Sequence, residues 1–273
     1  GTFKVDKGNS SFHIQKARYE KQPLTNLQGS IENFMTRPVA DLSLENTVEI
    51  AQFHRTLKSA FKGHPIHDAL SVYSDFKGSA NVRLNVKGPL EDFDKLAIAG
   101  EIDFQSVSLD EKDFEPRIEN LNGKIIYTHT PEVAQRKSEP WIRILQYKNL
   151  SGNFSNSKFT DLNGELGLSN GEPMERATAL YHLDASDLHW MIEEDSKDAL
   201  LVLQEGLNVT SGSVLINYRF EENPEKPETE KEWGKIELKN LAMKYHDRLQ
   251  AMTRLNGNIS YDDEKIRLEN VMG

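Results

Sequence analysis

Ala80-Asn81-Val82-Arg83-Leu84-Asn85-Val86-Lys87 alternates apolar and polar side chains without a break. Neighbouring side chains of an extended chain point to opposite faces, so this octet has one oily face and one wet face. A strand with one wet face belongs to an antiparallel sheet. Strands of a parallel sheet are buried on both sides and read as unbroken apolar runs. The same alternation recurs along the chain. Ile98, Ile102 and Phe104 alternate with Ala99, Glu101 and Asp103, while Val214, Ile216, Tyr218 and Phe220 form a second long series. Ile236 with Leu238, and Ile266 with Leu268, are shorter examples. Turn signals are read at Gly88-Pro89, Asn122-Gly123, Asn163-Gly164, Asn170-Gly171 and Asn256-Gly257.

Helical signals are few. Ala51 to Lys62 puts Phe53, Leu57, Ala60 and Phe61 near one stripe, with Gly63 as a stop. Ser186 to Ile192 is expected to begin with a Ser186 cap and run one or two turns. Ser196 to Glu205 carries Ala199, Leu200 and Leu203 before Gly206. Glu221 to Lys231, acidic and holding two prolines, reads as a solvated connector. The fold class expected is all-β: an elongated, strongly curved antiparallel sheet built from repeats, with a few short helices.

The repeat is visible at a spacing of 134 residues, the distance from Gly100 to Gly234. Gly78-Ser79 recurs as Gly212-Ser213, Ile102 as Ile236, and Leu121-Asn122-Gly123 as Leu255-Asn256-Gly257. Ile125 and Tyr127 recur as Ile259 and Tyr261, and one further residue of shift brings Leu27-Gln28-Gly29 onto Leu162-Asn163-Gly164. A first unit is expected over 8–151 and a second, incomplete one over 152–273. A sheet unit leaves edges for its neighbour to cover, so the chain is expected to be a fragment of a longer array.

Composition narrows the function. The net charge of −10 argues against nucleic acid as a partner, because phosphate binding needs a basic surface. With no cysteine there are no disulfides, thiolate metal sites or cysteine nucleophiles. Charged residues, at 28%, suit a thin body with much surface rather than a sphere. No window reaches the roughly 18 apolar residues of a membrane span. There is no phosphate-binding glycine loop and no GxSxG elbow. His64 and His67 flank Pro65, which breaks the helical spacing that a metal pair would use. His182, Asp184, Asp187 and His189 are close enough in sequence to bind a cation, but alternation and capping also explain them. No catalytic residue, cofactor or metal is assigned, and the chain is expected to be non-enzymatic.

The cadence of a strand, a Gly-Pro-Leu turn, then G-x-I-x-F-x-x-V-x-L and I-x-x-L-x-G-x-I-x-Y is carried by Val82–Val86, Gly88–Leu90, Gly100–Leu109 and Ile118–Tyr127. A weaker echo runs over Gly234–Met243 and Met252–Tyr261, without Gly-Pro-Leu. It resembles the AsmA-like family of Gram-negative envelope proteins, which includes the TamB-type and YhdP-type proteins. That resemblance implies a periplasmic β-sheet with an apolar groove, tethered to the inner membrane by a segment outside this sequence. It also implies a role in phospholipid movement between membranes and in outer-membrane integrity, with no catalytic residues to carry over.

Two functions are set against each other. In the first, an apolar groove carries phospholipid or another acyl-chain lipid. Its candidates are Val82, Leu84, Val86, Ile102, Phe104, Ile125 and Tyr127, extended in the second unit by Ile216, Tyr218, Phe220, Ile236, Leu238, Ile259 and Tyr261. In the second, the chain is a structural or assembly module that binds envelope protein partners through sheet edges or loops. An open apolar face favours the first and a face filled by its own side chains the second.

Overall fold

The structure is a computed structural model and describes residues 1–19, 22–60, 67, 70–92, 95–112, 114–130, 142–169, 172–188, 207–221, 231–245, 251–262 and 265–273. Strand accounts for 81% of them, which rules out a helical architecture. The strands are β1 (Thr2–Asp6), β2 (Asn9–Tyr19), β3 (Gln22–Glu32), β4 (Val39–Glu49), β5 (Tyr73–Pro89), β6 (Ala97–Glu111) and β7 (Phe114–His129). They continue as β8 (Ile142–Phe154), β9 (Ser157–Ser169), β10 (Glu172–Asp184), β11 (Leu207–Glu221), β12 (Lys231–Tyr245), β13 (Met252–Asp262) and β14 (Lys265–Met272). Each pairs antiparallel with the next, so one open sheet runs from β1 to β14 in sequence order. The sheet is curved and does not close.

One α-helix, α1 (Ile50–Ala60), lies between β4 and β5. Ile50, Phe53 and Leu57 turn toward the sheet, while Arg55, Thr56 and Ser59 face out, as the spacing of the apolar residues dictates. A single 3-10 turn, Ala185–Asp187, follows β10. Its cap is Asp184, whose carboxylate accepts the Ser186 N–H at 2.9 Å, and not Ser186 as expected. Asp187 is buried and accepts the Ser157 hydroxyl at 2.6 Å and the Asn156 N–H at 2.8 Å, tying this turn to the β8–β9 hairpin. Asp184 and Asp187 thus have structural roles. The expected helix over Ser196–Glu205, His189, and the His64–Asp68 segment apart from His67 lie outside the described residues.

Three of the expected turns are not turns. Asn122-Gly123 lies inside β7, Asn163-Gly164 inside β9 and Asn256-Gly257 inside β13. They belong to a line of β-bulges that crosses the sheet. Asp75, Ser106, Asn120, Asn149, Asp161, Asn240, Arg254 and Asn270 all have φ between 42° and 57°, and each sits where its strand carries one extra residue against a neighbour. At three of them an asparagine two residues later staples the bulge. Asn122 Oδ1 accepts the Ser106 N–H on β6 at 2.9 Å, and its Nδ2 donates to the Asn120 carbonyl at 2.6 Å. Asn163 does the same for Asn149 and Asp161, at 2.8 and 2.7 Å. Asn256 does so for Asn240, at 2.9 Å, and for Arg254. An asparagine followed by glycine signals a two-residue turn only when the flanking residues reverse the chain. Here the side chain fills the hydrogen-bonding gap of a bulge and the strand continues, bent.

The bend is visible in what separated strands share. A flat sheet would separate β5 from β9 by about 19 Å. Phe76 on β5 and Phe159 and Leu162 on β9 instead line one cavity.

Candidate functional site

Register decides which side chains share a face, because directly opposed residues of an antiparallel pair point the same way. One row reads Asn46, Val82, Ile102, Ile125, Tyr147, Gly164, Ala177 and Phe220 from β4 to β11. A second reads Phe159, Tyr181, Ile216, Ile236, Ile259 and Leu268 from β9 to β14. Leu84 and Tyr127 both oppose Gly100, Val86 opposes Ile98, and Phe104 opposes Ala80. Tyr218 and Tyr261 both oppose Gly234, and Leu238 opposes Val214. The fourteen residues expected to line the groove therefore lie on one face of the sheet.

The other face is charged. Arg83 Nε meets Glu45 at 3.1 Å and its Nη1 meets Glu101 at 3.2 Å, while Lys124 Nζ meets the same Glu101 at 2.8 Å. The hydrogen bond from Lys124 holds the Glu101 carboxyl below the ordinary carboxylate range. Arg176 meets Glu221 at 3.2 Å further along. Exposed pairs of this kind contribute only about 0–1 kcal/mol each. Their meaning lies in position: they mark the face left to water. Trp233 is also on this outer face. It opposes Arg219, whose guanidinium lies 4.6 Å from the ring centre, because one residue of alternation separates it from Gly234.

The apolar face is the inside of the curve. Helix α1 and strands β5 to β9 enclose a cavity of about 360 Å³, lined by Phe53, Ile102, Phe104, Ile125 and Phe159 among others. Only a curled sheet lets β6 and β9 line one space with a helix above them. Around this cavity the face is filled by its own side chains: Val107, Leu121, Leu150, Phe159, Leu183 and Leu241 are buried. Toward the opposite ends of the strands it opens. Leu84, Val86, Tyr127, Ile216, Tyr218, Phe220 and Tyr261 are half-buried, and Leu166 is exposed. It also opens at both sheet edges, where Phe3 and Val5 on β1 and Ile266 and Leu268 on β14 are exposed.

Tyrosines and two carboxylates edge the open part. Tyr147 donates to Glu175 at 2.6 Å and Tyr261 to Glu232 at 3.3 Å, both carboxylates lying on the inner face opposite Leu166 and Phe220. The Tyr181 and Tyr218 rings meet edge to face at 6.4 Å. Burial, with the nearby carboxylates adding to it, raises Tyr147 and Tyr218 and pushes Tyr261 up to about 12. Each phenol thus stays a neutral amphipath with an apolar ring and a polar tip. Tyr147, Tyr181, Glu175 and Glu232 were not singled out in the sequence. Adjacent Ile144 and Leu145 break the alternation in β8, and the Tyr147–Gly164 juxtaposition exists only once the register of β8 on β9 is known. Among the described residues no group of histidine and carboxylate side chains is placed to hold a metal ion. No helix among them is long and apolar enough to cross a membrane. Comparison with known protein families, curated proteins and solved structures finds no match to this chain.

Proposed function

We propose that the chain is a non-enzymatic trough for acyl chains, a segment of an AsmA-like periplasmic protein that carries phospholipid between membranes and supports outer-membrane integrity. The observation that carries this reading is the sorting of faces: apolar residues of ten successive strands, β4 to β13, line the inside of the curve, with charges on the outside. Each methylene taken from water contributes about 0.8 kcal/mol, so a chain of many methylenes is held by such a surface without any specific polar contact. The half-open part suits transit better than storage. A row of similar shallow positions holds a chain at each point and releases it to the next. The tyrosine hydroxyls and the carboxylates of Glu175 and Glu232 lie at the margin, where a head group remains hydrated while its chains lie on the floor.

Leu84→Asp in the full-length parent tests the reading. Leu84 is half-buried on the inner face and packs toward Gly100, at 3.8 Å from the position its Cβ would take. A carboxylate there blocks an acyl chain, because an unpaired charge in an apolar path costs several kcal/mol. The expected outcome is a folded, normally expressed protein with impaired lipid transport. Asn85→Asp, on the exposed outer face, is expected to leave transport unchanged. Equal behaviour of the two variants would overturn the proposal. In that event the module reading, with exposed edges β1 and β14 as its binding elements, takes its place.

A further inference from the structure

The outer side of β14, unpaired among the described residues, repeats a pattern seen at three inner strands. Three times in the sheet, the amide of a left-handed residue on one strand is met by an asparagine from the next. Ser106 on β6 has φ 50° and its N–H donates to Asn122 on β7. Asn149 on β8 has φ 50° and donates to Asn163 on β9; Asn240 on β12 has φ 50° and donates to Asn256 on β13. In all three the following strand reads Leu-Asn-Gly. Asn270 on β14 has φ 54°, the same bulge conformation. No strand lies beyond β14 among the described residues, so no Leu-Asn-Gly segment meets this bulge.

The neighbourhood of Asn270 copies that of Asn149. A Cβ added to Gly123 would lie 2.5 Å from the Asn149 carbonyl oxygen and 2.8 Å from the Leu150 Cα. A Cβ added to Gly257 would lie 3.0 Å from the Asn270 oxygen and 2.6 Å from the Val271 Cα. β14 is thus seated against β13 as β8 is seated against β7, and its open side corresponds to the side of β8 that β9 covers. We infer that the β14 edge binds an extended, antiparallel peptide segment of Leu-Asn-Gly type, whose asparagine Oδ1 accepts the Asn270 N–H. In the β8–β9 register Tyr147 opposes Gly164, Leu150 opposes Leu162 and Gln146 opposes Glu165. The same register on β14 sets the incoming glycine opposite Leu268, the leucine opposite Val271, and a glutamate opposite Arg267. Apolar side chains then continue the inner face past the exposed Ile266 and Leu268, and charge is matched on the outer face. The inference does not depend on what the trough carries.

The probe is a synthetic peptide with the β9 sequence, Ser157–Ser169, added to the whole chain. Expected are saturable one-to-one binding by calorimetry and a backbone NMR shift and slowed exchange at the Asn270 amide. The same peptide with Asn163→Ala should bind about fivefold more weakly, the loss of one hydrogen bond between strands. No binding, equal binding of both peptides, or protection at β1 instead of β14 would overturn the inference. So would sedimentation showing that a second copy of the chain already covers the β14 edge.

Discussion

Gly123→Ala adds one methyl group where the backbone of β7 lies close against β8, and its cost can be worked from the geometry. Gly123 has φ 112°, a conformation that residues with a Cβ adopt only at a cost of about 1–3 kcal/mol. The new Cβ would lie 2.5 Å from the Asn149 oxygen and 2.8 Å from both the Asn149 carbonyl carbon and the Leu150 Cα. All three are backbone atoms that cannot rotate aside, so β7 and β8 must separate. That weakens at least one ladder hydrogen bond, worth about 1 kcal/mol, and the Asn122 staple beside it. The total is about 3–5 kcal/mol. Gly8→Ala is the internal control. Gly8 also has a left-handed φ, 85°, but nothing lies within 4 Å of an added Cβ, so only the conformational cost of about 1–2 kcal/mol applies. Urea unfolding followed by circular dichroism should separate the two variants by about 1–4 kcal/mol. Equal destabilisation would refute the claim that the bulge line holds the strands in close backbone contact.

Asp187→Ala should destabilise by about 2–4 kcal/mol in the same assay, because it strands the Ser157 hydroxyl and the Asn156 amide at a buried site; Asp187→Asn, which keeps an acceptor oxygen, should cost less. Alkaline titration followed by tyrosinate absorbance should show a group of late-ionising phenols. The Tyr261 phenol, ordinarily near 10, is pushed up to about 12 by burial and Glu232, so the folded state holds its proton more tightly than the unfolded chain. That stabilisation is complete below about pH 10 and is lost as the pH rises toward 12. Tyr147 and Tyr218 should follow the same direction, and all eight tyrosines titrating together near their ordinary value in a folded protein would contradict the packed inner face.

The strands and their inner face were legible where alternation is unbroken. Val82 to Val86 and Val214 to Phe220 obey period two along a regular ladder, and both lie where that period puts them. Helix α1, expected over Ala51–Lys62, runs over Ile50–Ala60, since its apolar stripe is local information. Leu-Asn-Gly was legible as a repeat but not as a bulge. Whether an asparagine reverses the chain or staples a bulge depends on a strand up to 16 residues away, as for Ser106 and Asn122. Bulges also explain what was missed in β8 and β10. An extra residue shifts the alternation by one, and the inner face of β10 is built partly of Ala177 and Ala179, small residues that carry little apolar signal. Whether the apolar face is open or self-filled is a property of curvature. It turns out to be both, packed around the cavity beneath α1 and open toward the tyrosines.

Photo-crosslinking in cells tests the central claim most directly. A benzophenone side chain placed at Leu84 or Ile216 of the full-length protein points into the trough, and one placed at Arg83 or Asn217 points away from it. If the trough conducts lipid, the two inner positions capture phospholipid on irradiation and the two outer positions do not. Capture of protein partners alone at Leu84 and Ile216, with no lipid adduct, would contradict the account.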